Sequence, residues 1–323
     1  MTKSDIIKNN LRRYCHLPIR TIARTILATD GDKWDGDLDK IRDAVRYRMG
    51  KMGNYNRNHI PDTSLFRVAD VPLPQTWRRK ISDFHLPPGS YLVLSDVHVP
   101  FHEMKPLEAA VQAGQAEKVD AIFINGDFQD CASVSFWPTA HRDFNREVEA
   151  VIDTFDWLRH EFPDAKIYYK GGNHEYRLPR LFVSKMPELA ETPLSAMETV
   201  IGFEERGIEF LDYNQKVYAG LLPIVHGHEF GWLSRAVNPA RGLFLRAKSF
   251  AACSHCHTTS EHTARDINDM IITCWSFGCL CDLSPDYNPL GNDWNWGFGL
   301  LNVEKDKNFE VINRRILPNG KVV

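Results

Sequence analysis

Five short runs of polar residues, each at the end of an apolar stretch, could together perform metal chemistry. One run, Gly172-Asn173-His174-Glu175, follows residues 167–169, which are β-branched or aromatic and predict a strand that its glycines release into a turn. The amide oxygen of Asn173 is a ligand for a divalent cation, and the imidazole of His174 can donate a proton to a phosphate oxygen. The candidate residues of all five runs are Asp96, His98, Asp127, Asp130, Asn173, His174, His226, His255 and His257.

The spacing of these residues indicates a metal centre. Ligands of an α/β sheet bind beyond the carboxyl ends of its strands, so the five runs are expected to converge. Residues i and i+2 of an extended chain point the same way, so Asp96 and His98 can chelate one ion, and His255 and His257 can be shared between two. Carboxylate, amide and imidazole ligands together suit Mn, Fe or Zn rather than Ca. Their number exceeds one tetrahedral site, which favours two metal ions.

The elements that must position these residues alternate between strands and helices. The predicted strands are 91–94, 121–124, 167–169, 221–225, 250–252, 271–275 and 299–303. The predicted helices between them are 105–118 and 143–161. Three further helices are predicted within residues 1–50, and residues 51–89, rich in asparagine and proline, indicate a linker or a wrapping segment. The predicted domains are therefore a small helical region over 1–50, the linker over 51–89, and a main domain over 90–323.

Charge separates between the two ends of the chain. Residues 1–80 contain 17 Lys/Arg and 9 Asp/Glu, whereas the remainder contains 22 Lys/Arg and 33 Asp/Glu. The basic region suggests contact with an anionic partner such as nucleic acid. The arginines of the third predicted helix (38–49) are compatible with a helix-turn-helix-like module. The alternative is a small helical appendage that docks on the main domain.

Composition and cysteine content restrict the class of protein. A hydrophobic content of 43% and a charged content of 25% are typical of soluble globular proteins. No stretch approaches about 18 uninterrupted apolar residues, so neither a transmembrane helix nor a membrane partner is expected. The first residues lack the apolar core of a secretory signal, so we expect a cytoplasmic protein with free thiols. Five of the seven cysteines lie between Cys253 and Cys281, as buried thiols or, alternatively, as a structural zinc site.

The order and spacing of the five runs resemble those of the calcineurin-like metallophosphoesterases. The matching motifs, within about residues 90–305, are Asp96-x-His98, Gly126-Asp127-x-x-Asp130, Gly172-Asn173-His174-Glu175, His226-Gly227 and His255-x-His257. Residues 95–100 and 294–298 also resemble runs in uncharacterised phage-type members, which have a small helical N-terminal region. The resemblance implies a four-layer α/β/β/α sandwich with a small helical N-terminal appendage. It also implies a protein encoded by a phage or prophage and acting in the host cytoplasm.

The resemblance further implies a role for each site residue. Asp96, His98 and His257 would hold one metal ion, and Asn173, His226 and His255 the other, with Asp127 bridging them. The two divalent ions would be Mn, with Fe, Zn or Mg as alternatives. His174 would not bind metal, but would stabilise the phosphoryl transition state or protonate the leaving oxygen. The residues expected to orient ligands or contact phosphate are Asp130, Arg177 and His228.

The implied activity is phosphoester hydrolysis by a metal-activated hydroxide. Three interpretations remain: a phosphodiesterase or nuclease, a phosphomonoesterase or nucleotide pyrophosphatase on small molecules, and a nucleic-acid-binding scaffold that retains the metal fold.

The sequence departs from the family pattern at two places. Ser254 replaces the glycine usual before the final His-x-His motif. The Asp-Arg-Gly continuation of Ser/Thr protein phosphatases is absent after Asp127, which argues against a protein phosphatase.

Overall fold

The computed structural model describes residues 1–49, 81–136, 143–231, 237–285 and 290–323. Contacts between residues divide the chain into two units, Met1–Arg78 and Arg79–Val323. Most of the predicted linker lies outside the described residues.

The first unit contains three helices, as the hydrophobic periodicity predicts. They are α1 (Lys3–Tyr14), α2 (Ile19–Asp30) and α3 (Leu38–Arg48). Thr2 and Asp5 form a capping box at the start of α1, and Asp37 caps α3. Residues 31–37, which include a short 3₁₀ helix, make the connection from α2 to α3 longer than the turn of about three or four residues in a helix-turn-helix motif. The helices share a small core of Ile6, Ile7, Leu11, Ile22, Ala23, Ile26, Trp34, Ile41 and Val45.

The second unit contains two six-stranded sheets and five helices within the described residues. The helices are α4 (Met104–Ala116), α5 (Phe144–Glu161), α6 (Arg177–Lys185), α7 (Met197–Ile201) and α8 (Pro239–Ala247). The strands are β1 (Phe84–Leu86), β2 (Gly89–Leu94), β3 (Ala121–Asn125), β4 (Lys166–Lys170), β5 (Ile208–Leu211), β6 (Val217–Ala219), β7 (Leu222–Ile224), β8 (Ala251–Cys253), β9 (Ser260–Arg265), β10 (Ile271–Ser276), β11 (Gly297–Val303) and β12 (Phe309–Arg315). One sheet has the order β1-β6-β7-β8-β10-β9, and the other β12-β11-β2-β3-β4-β5.

Alternation of side chains along β2 shows how the layers are stacked. Leu92 and Leu94 belong to the apolar cluster that contains residues of α4 and α5. Tyr91 and Val93 point the other way, into the cluster shared with β7 and β8 of the other sheet. A further cluster joins Leu243 of α8 to β8. The layers therefore follow the order helix, sheet, sheet, helix, which confirms the predicted α/β/β/α sandwich with a small helical N-terminal appendage.

Parallel strands bring the predicted functional runs to one edge of the sandwich. β2, β3, β4 and β5 are parallel neighbours in one sheet, and β7 and β8 are parallel neighbours in the other. The predicted linker also contains a strand, because β1 pairs with β6 at the edge of the sheet that contains β7 and β8. No helix within the described ranges is long and apolar enough to cross a membrane.

Candidate metal centre

The loops that follow β2, β3, β4, β7 and β8 carry the predicted ligands. Five of these residues have left-handed backbones, with φ between 50° and 67°: Asp96, His98, Asp127, His255 and His257. This conformation costs a residue other than glycine about 1–3 kcal/mol, and persists only where the surrounding structure imposes it. Neighbouring loops impose it here through backbone hydrogen bonds, from Asp96 N to Gly126 O (3.1 Å) and from His98 N to Asp127 O (3.0 Å).

Asp96, His98 and His257 form the first group of candidate ligands. His257 Nε2 lies 3.2 Å from Asp96 Oδ1 and 3.2 Å from His98 Nε2. His98 Nε2 lies 4.0 Å from Asp96 Oδ1. All three residues are buried, so their ligand atoms converge on one small space that water does not reach freely.

Asp127, His226 and His255 form the second group, with ligand atoms within 4.8 Å of one another. His226 Nε2 lies 3.1 Å from Asp127 Oδ2, and that oxygen lies 4.0 Å from His98 Nε2 of the first group. Asp127 is thus placed between the two groups, where a bridging ligand would have to lie. Asn173 precedes His174, whose backbone amide donates a 2.9 Å hydrogen bond to Asp127 Oδ1, and the side-chain Oδ1 of Asn173 is a buried atom.

The chemistry of these side chains fits two divalent cations. Three buried atoms have no hydrogen-bond partner among the described residues: Asp96 Oδ1 and His226 Nε2 of the two groups, and Asn173 Oδ1 of the loop after β4. Buried polar atoms are nearly always satisfied, so unpaired atoms that converge on one place indicate a ligand. Carboxylate, amide oxygen and imidazole are also the mixture that suits first-row transition metals.

The electrostatics of the centre reflect two opposing effects. Burial lowers the pKa of His226, but the carboxylate of Asp127 raises it by more, so that the pKa is about 9. Burial likewise lowers the pKa of His257, and the carboxylate of Asp96 raises it, to about 10. His255 instead has a pKa of about 4, lowered by burial and by the nearby His226. Asp96 and Asp127 therefore stabilise positive charge on the groups around them, as the ligands of a cation must.

Hydrogen bonds on the far side of each ring fix the candidate ligands. His226 Nδ1 donates to Asn125 O (2.7 Å), which directs Nε2 towards Asp127. His98 Nδ1 is bonded to Asp130 Oδ2 (2.9 Å), which directs its Nε2 towards His257. Asp130 therefore orients the ring of His98, which is a candidate ligand. Cys281 Sγ lies 3.9 Å from His257 Nδ1 and takes the corresponding position there.

Both ring nitrogens of His174 are engaged by protein groups. Nδ1 donates to Asp130 O (2.9 Å), and Nε2 accepts from Arg177 Nη2 (3.0 Å). His174 also lies within 4.8 Å of ligand atoms of His98 and Asp127, with 3.8 Å from Nε2 to Asp127 Oδ2. Burial lowers the pKa of His174, but Asp127 and Asp130 raise it above its ordinary value. The ring thus borders the centre, and its two nitrogens both contact protein groups.

His228 lies beside the centre but outside the candidate ligand groups of the described residues. Its ring centroid is 5.4 Å from that of His226, and its Nδ1 is 3.6 Å from Glu229 Oε2. Burial lowers its pKa to about 4, so it is a neutral neighbour at physiological pH.

Glu175 organises the loops, although the sequence analysis assigned it no role. Its side chain is fully buried and accepts hydrogen bonds from the backbone amides of Asp127 (3.1 Å), Gln129 (3.2 Å) and Gly172 (2.7 Å). Tyr169 donates a fourth bond from its hydroxyl. Glu175 therefore ties the loop after β3 to the loop after β4. Its place next to Asn173 and His174 in the motif was the signal that could have revealed this role.

A second carboxylate, that of Glu229, connects the end of β4 to the loop after β7. Its Oε1 lies 2.8 Å from Lys170 Nζ, and its two oxygens accept from the amides of His226 (3.2 Å) and Gly227 (2.6 Å). Lys170 also donates to Tyr213 O (3.0 Å). Nothing in the local sequence pairs Lys170 with Glu229, because the two residues are distant along the chain and meet only in the folded sheets.

Comparison with known proteins places residues 89–269 within one family. They match the family model described as calcineurin-like phosphoesterase. The chain is also similar to the Gene 54 protein of Mycobacterium phage L5, with 23% identity over 250 residues, which cover 72% of this chain and 97% of that protein.

Solved structures of similar chains are more distant. YfcE, a phosphoesterase from E. coli, is 14% identical, with a TM-score of 0.32, over 69% of this chain and 98% of its own. A dimetal phosphatase from Danio rerio is 12% identical, with a TM-score of 0.37, over 71% and 96%. Vacuolar Protein Sorting 29 from Cryptosporidium parvum is 13% identical, with a TM-score of 0.38, over 73% and 96%.

Proposed function

The chain belongs to the calcineurin-like phosphoesterase family of metal-dependent phosphoester hydrolases, and we propose that this member is a phosphodiesterase that acts on nucleic acid. We further propose that one metal ion is held by Asp96, His98 and His257, and the other by Asn173, His226 and His255. Asp127 is proposed to contact both. Manganese is the metal that we propose, since carboxylate, amide and imidazole ligands are all compatible with it.

In the proposed reaction, the metal ions and the protein have different tasks. Divalent ions bound at the two groups of candidate ligands would lower the pKa of a bound water and neutralise the charge of the phosphoryl oxygens. Asp130 and Arg177 fix the plane of the His174 ring at the border of the centre. The raised pKa of His174 favours the imidazolium, whose Nε2 proton would be available to the substrate once Arg177 no longer donates to that nitrogen. In that position it protonates the leaving oxygen, an effect typically of about 10²–10⁴-fold.

The preference for a diester is carried by one observation: the cations beside the centre are already paired. Arg177 Nη1 donates to Asp130 O (2.9 Å) and lies 3.3 Å from Asp130 Oδ1, and Lys170 is paired with Glu229. In the part of the chain that the structure describes, neither side chain is available to bind a terminal phosphate. A monoester is largely a dianion at neutral pH and is commonly bound by such cations. A diester has a single negative charge, which the centre itself can balance.

Two further features support nucleic acid as the substrate and a phage as the source. The basic surplus of residues 1–80 would attract a polyanion rather than a small neutral molecule. The similar Gene 54 protein is encoded by a mycobacteriophage, which is consistent with a phage origin and with action in the cytoplasm of a host cell.

The proposal is tested with a diester and a monoester of the same nitrophenol leaving group. The full chain is stripped of metal, reloaded with Mn²⁺, and compared with Asp127→Asn prepared in the same way. We expect kcat/KM for the diester to exceed that for the monoester by at least about tenfold, with both lost in the variant. A monoester preference of similar size would contradict the proposal and favour a phosphomonoesterase.

The variant Asp130→Asn tests the reason for the preference. It weakens the pairing of Arg177, so its guanidinium becomes available to a terminal phosphate. We expect the ratio of monoester to diester kcat/KM to rise, although total activity falls because His98 is less well oriented. The ratio does not depend on the fraction of protein that is loaded with metal. An unchanged ratio would show that the pairing of Arg177 does not set the preference.

A further inference from the structure

The basic residues of α3 are largely neutralised by acidic neighbours. Arg42 Nη1 lies 2.8 Å from Asp39 Oδ1, and Arg46 Nη1 lies 3.6 Å from Asp43 Oδ1. Lys40 Nζ lies 3.6 Å from an oxygen of Asp37 and 3.7 Å from one of Asp35. A helix whose basic side chains are paired in this way presents little net charge. The arginine-rich third helix is therefore a poor candidate for the nucleic-acid surface that the sequence pattern suggested.

The basic residues of α1 and α2 have a different environment. Arg12, Arg13, Arg20 and Arg24 are exposed, and within the described residues they form no ion pair. No acidic residue occurs from Ile6 to Thr29, so no acidic side chain of their own helices neutralises them in this stretch. Arg20 and Arg24 are one helical turn apart on α2 and therefore lie on the same face. Lys8 is one turn before Arg12 on α1, near Asp5.

We propose that the exposed arginines of α1 and α2 form a docking surface for the phosphate backbone of duplex nucleic acid. Arginine donates two parallel hydrogen bonds to a phosphate, which makes it the side chain best suited to such a surface. The inference deepens the proposed function by locating the contact with the substrate, and rests on it only for the expectation that the bound duplex is then cleaved.

The surroundings of the arginines favour a duplex over a single strand. Single-stranded nucleic acid is bound by exposed aromatic side chains on which its bases stack. The aromatic residue on α1 and α2, Tyr14, is partly buried and packs against the helical core. A surface of arginines without a stacking platform recognises the regular spacing of phosphates, and we expect it to bind without strong sequence preference.

Binding to a labelled DNA duplex tests the inference without cleavage. The metal-free full-length chain is titrated by fluorescence anisotropy at salt concentrations from about 50 to 200 mM. The test variant replaces Arg12, Arg13, Arg20 and Arg24 with Gln. The control variant replaces the same number of charges on α3, at Lys40, Arg42, Arg46 and Arg48, so that both lose equal net charge. Circular dichroism verifies that each variant keeps its helices.

The dependence of affinity on salt gives the expected magnitude. Each phosphate contact contributes about 0.9 to the negative slope of log affinity against log salt, so four lost contacts reduce that slope by about 3–4. At the lowest salt we expect the test variant to lose at least about tenfold in affinity. The control variant should change the slope by less than about one. Wild-type chain should bind the duplex more tightly than a single strand of the same length.

Several outcomes would overturn the inference. They are absence of duplex binding by the wild type, equal losses in the two variants, and tighter binding to a single strand or to vesicles containing phosphatidylglycerol than to the duplex. Should the fourfold variant unfold, the pairs Arg12→Gln with Arg13→Gln and Arg20→Gln with Arg24→Gln each test half of the surface. Hydrolysis of the small diester is measured in parallel. Its absence together with normal duplex binding would reject the proposed function and leave this inference standing.

Discussion

Loss of either partner of the ion pair between Lys170 and Glu229 should destabilise the unit formed by residues 79–323 by several kcal/mol. The side chain of Lys170 is fully buried and that of Glu229 is 22% exposed, with 2.8 Å between Nζ and Oε1. Removing one partner of a buried pair costs about 3–5 kcal/mol, because the other charge is left without a counterion. Burial raises the pKa of Glu229, but Lys170, His228 and the backbone amide of Gly227 together lower it from 4.5 to about 2. That displacement corresponds to about 3 kcal/mol at neutral pH, shared among these three groups.

The experiment measures the melting temperature of metal-free Glu229→Gln, Lys170→Met and the double variant by calorimetry. A domain of this size loses about 2–4 °C per kcal/mol, so each single variant should melt about 6–20 °C below the wild type at pH 7. The double variant leaves neither charge buried and should lose less than the sum of the single variants. Because the pKa of Glu229 is lowered by folding, its contribution is fully present above about pH 4.5 and is lost as the pH falls through about 2.

An exposed ion pair between β4, the strand of Lys170, and β5 provides the control. Lys166 Nζ lies 2.6 Å from Glu209 Oε2, but the two side chains are 54% and 40% exposed. Glu209→Gln should therefore cost no more than about 1 kcal/mol despite the shorter distance. Equal losses in Glu229→Gln and Glu209→Gln, or strict additivity in the double variant of the buried pair, would refute the reasoning from burial.

Five further variants test the candidate centre. Asp127→Asn should lose both metal ions, counted by mass spectrometry after gel filtration, whereas His174→Ala should retain both and lose about 10²–10⁴-fold in kcat; metal loss from the latter would show that His174 is a ligand. Gly172→Ala would place a Cβ 2.2 Å from Asp127 Oδ1, so bound metal should fall while circular dichroism stays unchanged, and full metal content would contradict this steric reasoning. Cys281→Ala removes the sulfur 3.9 Å from His257 Nδ1 and should weaken binding of one ion by about 10–100-fold in a chelator competition, with partial recovery in Cys281→Ser. Equal losses in the alanine and serine variants would contradict a hydrogen-bonding role for Cys281.

The layers of the fold were predictable because the central strands are buried on both faces. Along β2, Tyr91, Leu92, Val93 and Leu94 are all buried, so the apolar run is continuous and easily recognised. Each such strand ends in a polar run, and parallel pairing brings these ends together. The convergence of Asp96, Asp127 and the histidines could therefore be predicted without knowledge of any contact.

The less apolar strands could not be predicted in the same way. β9 lies at the edge of its sheet, and its residues 260–265 alternate between partly and fully exposed, so no apolar pattern marks it. β1 and β6 are short and pair with each other across a long separation in sequence.

The sequence also shows how many charged residues there are, but not which of them form ion pairs. For this reason the arginines of α3 suggested a nucleic-acid surface, whereas the structure shows two of them, Arg42 and Arg46, paired with aspartates.

Ser254 shows how a departure from a family motif can be accommodated by local bonding. A glycine is usual at this position, but Ser254 is not among the residues with left-handed backbones, so it does not need the conformational freedom of glycine. Its hydroxyl accepts a 2.8 Å hydrogen bond from Asn125 Nδ2, and its amide donates to His226 O (2.7 Å). Asn125 in turn accepts the bond from His226 Nδ1 that directs Nε2 towards Asp127. The serine thus closes a buried network around a candidate metal ligand, because it provides a side-chain acceptor that glycine lacks.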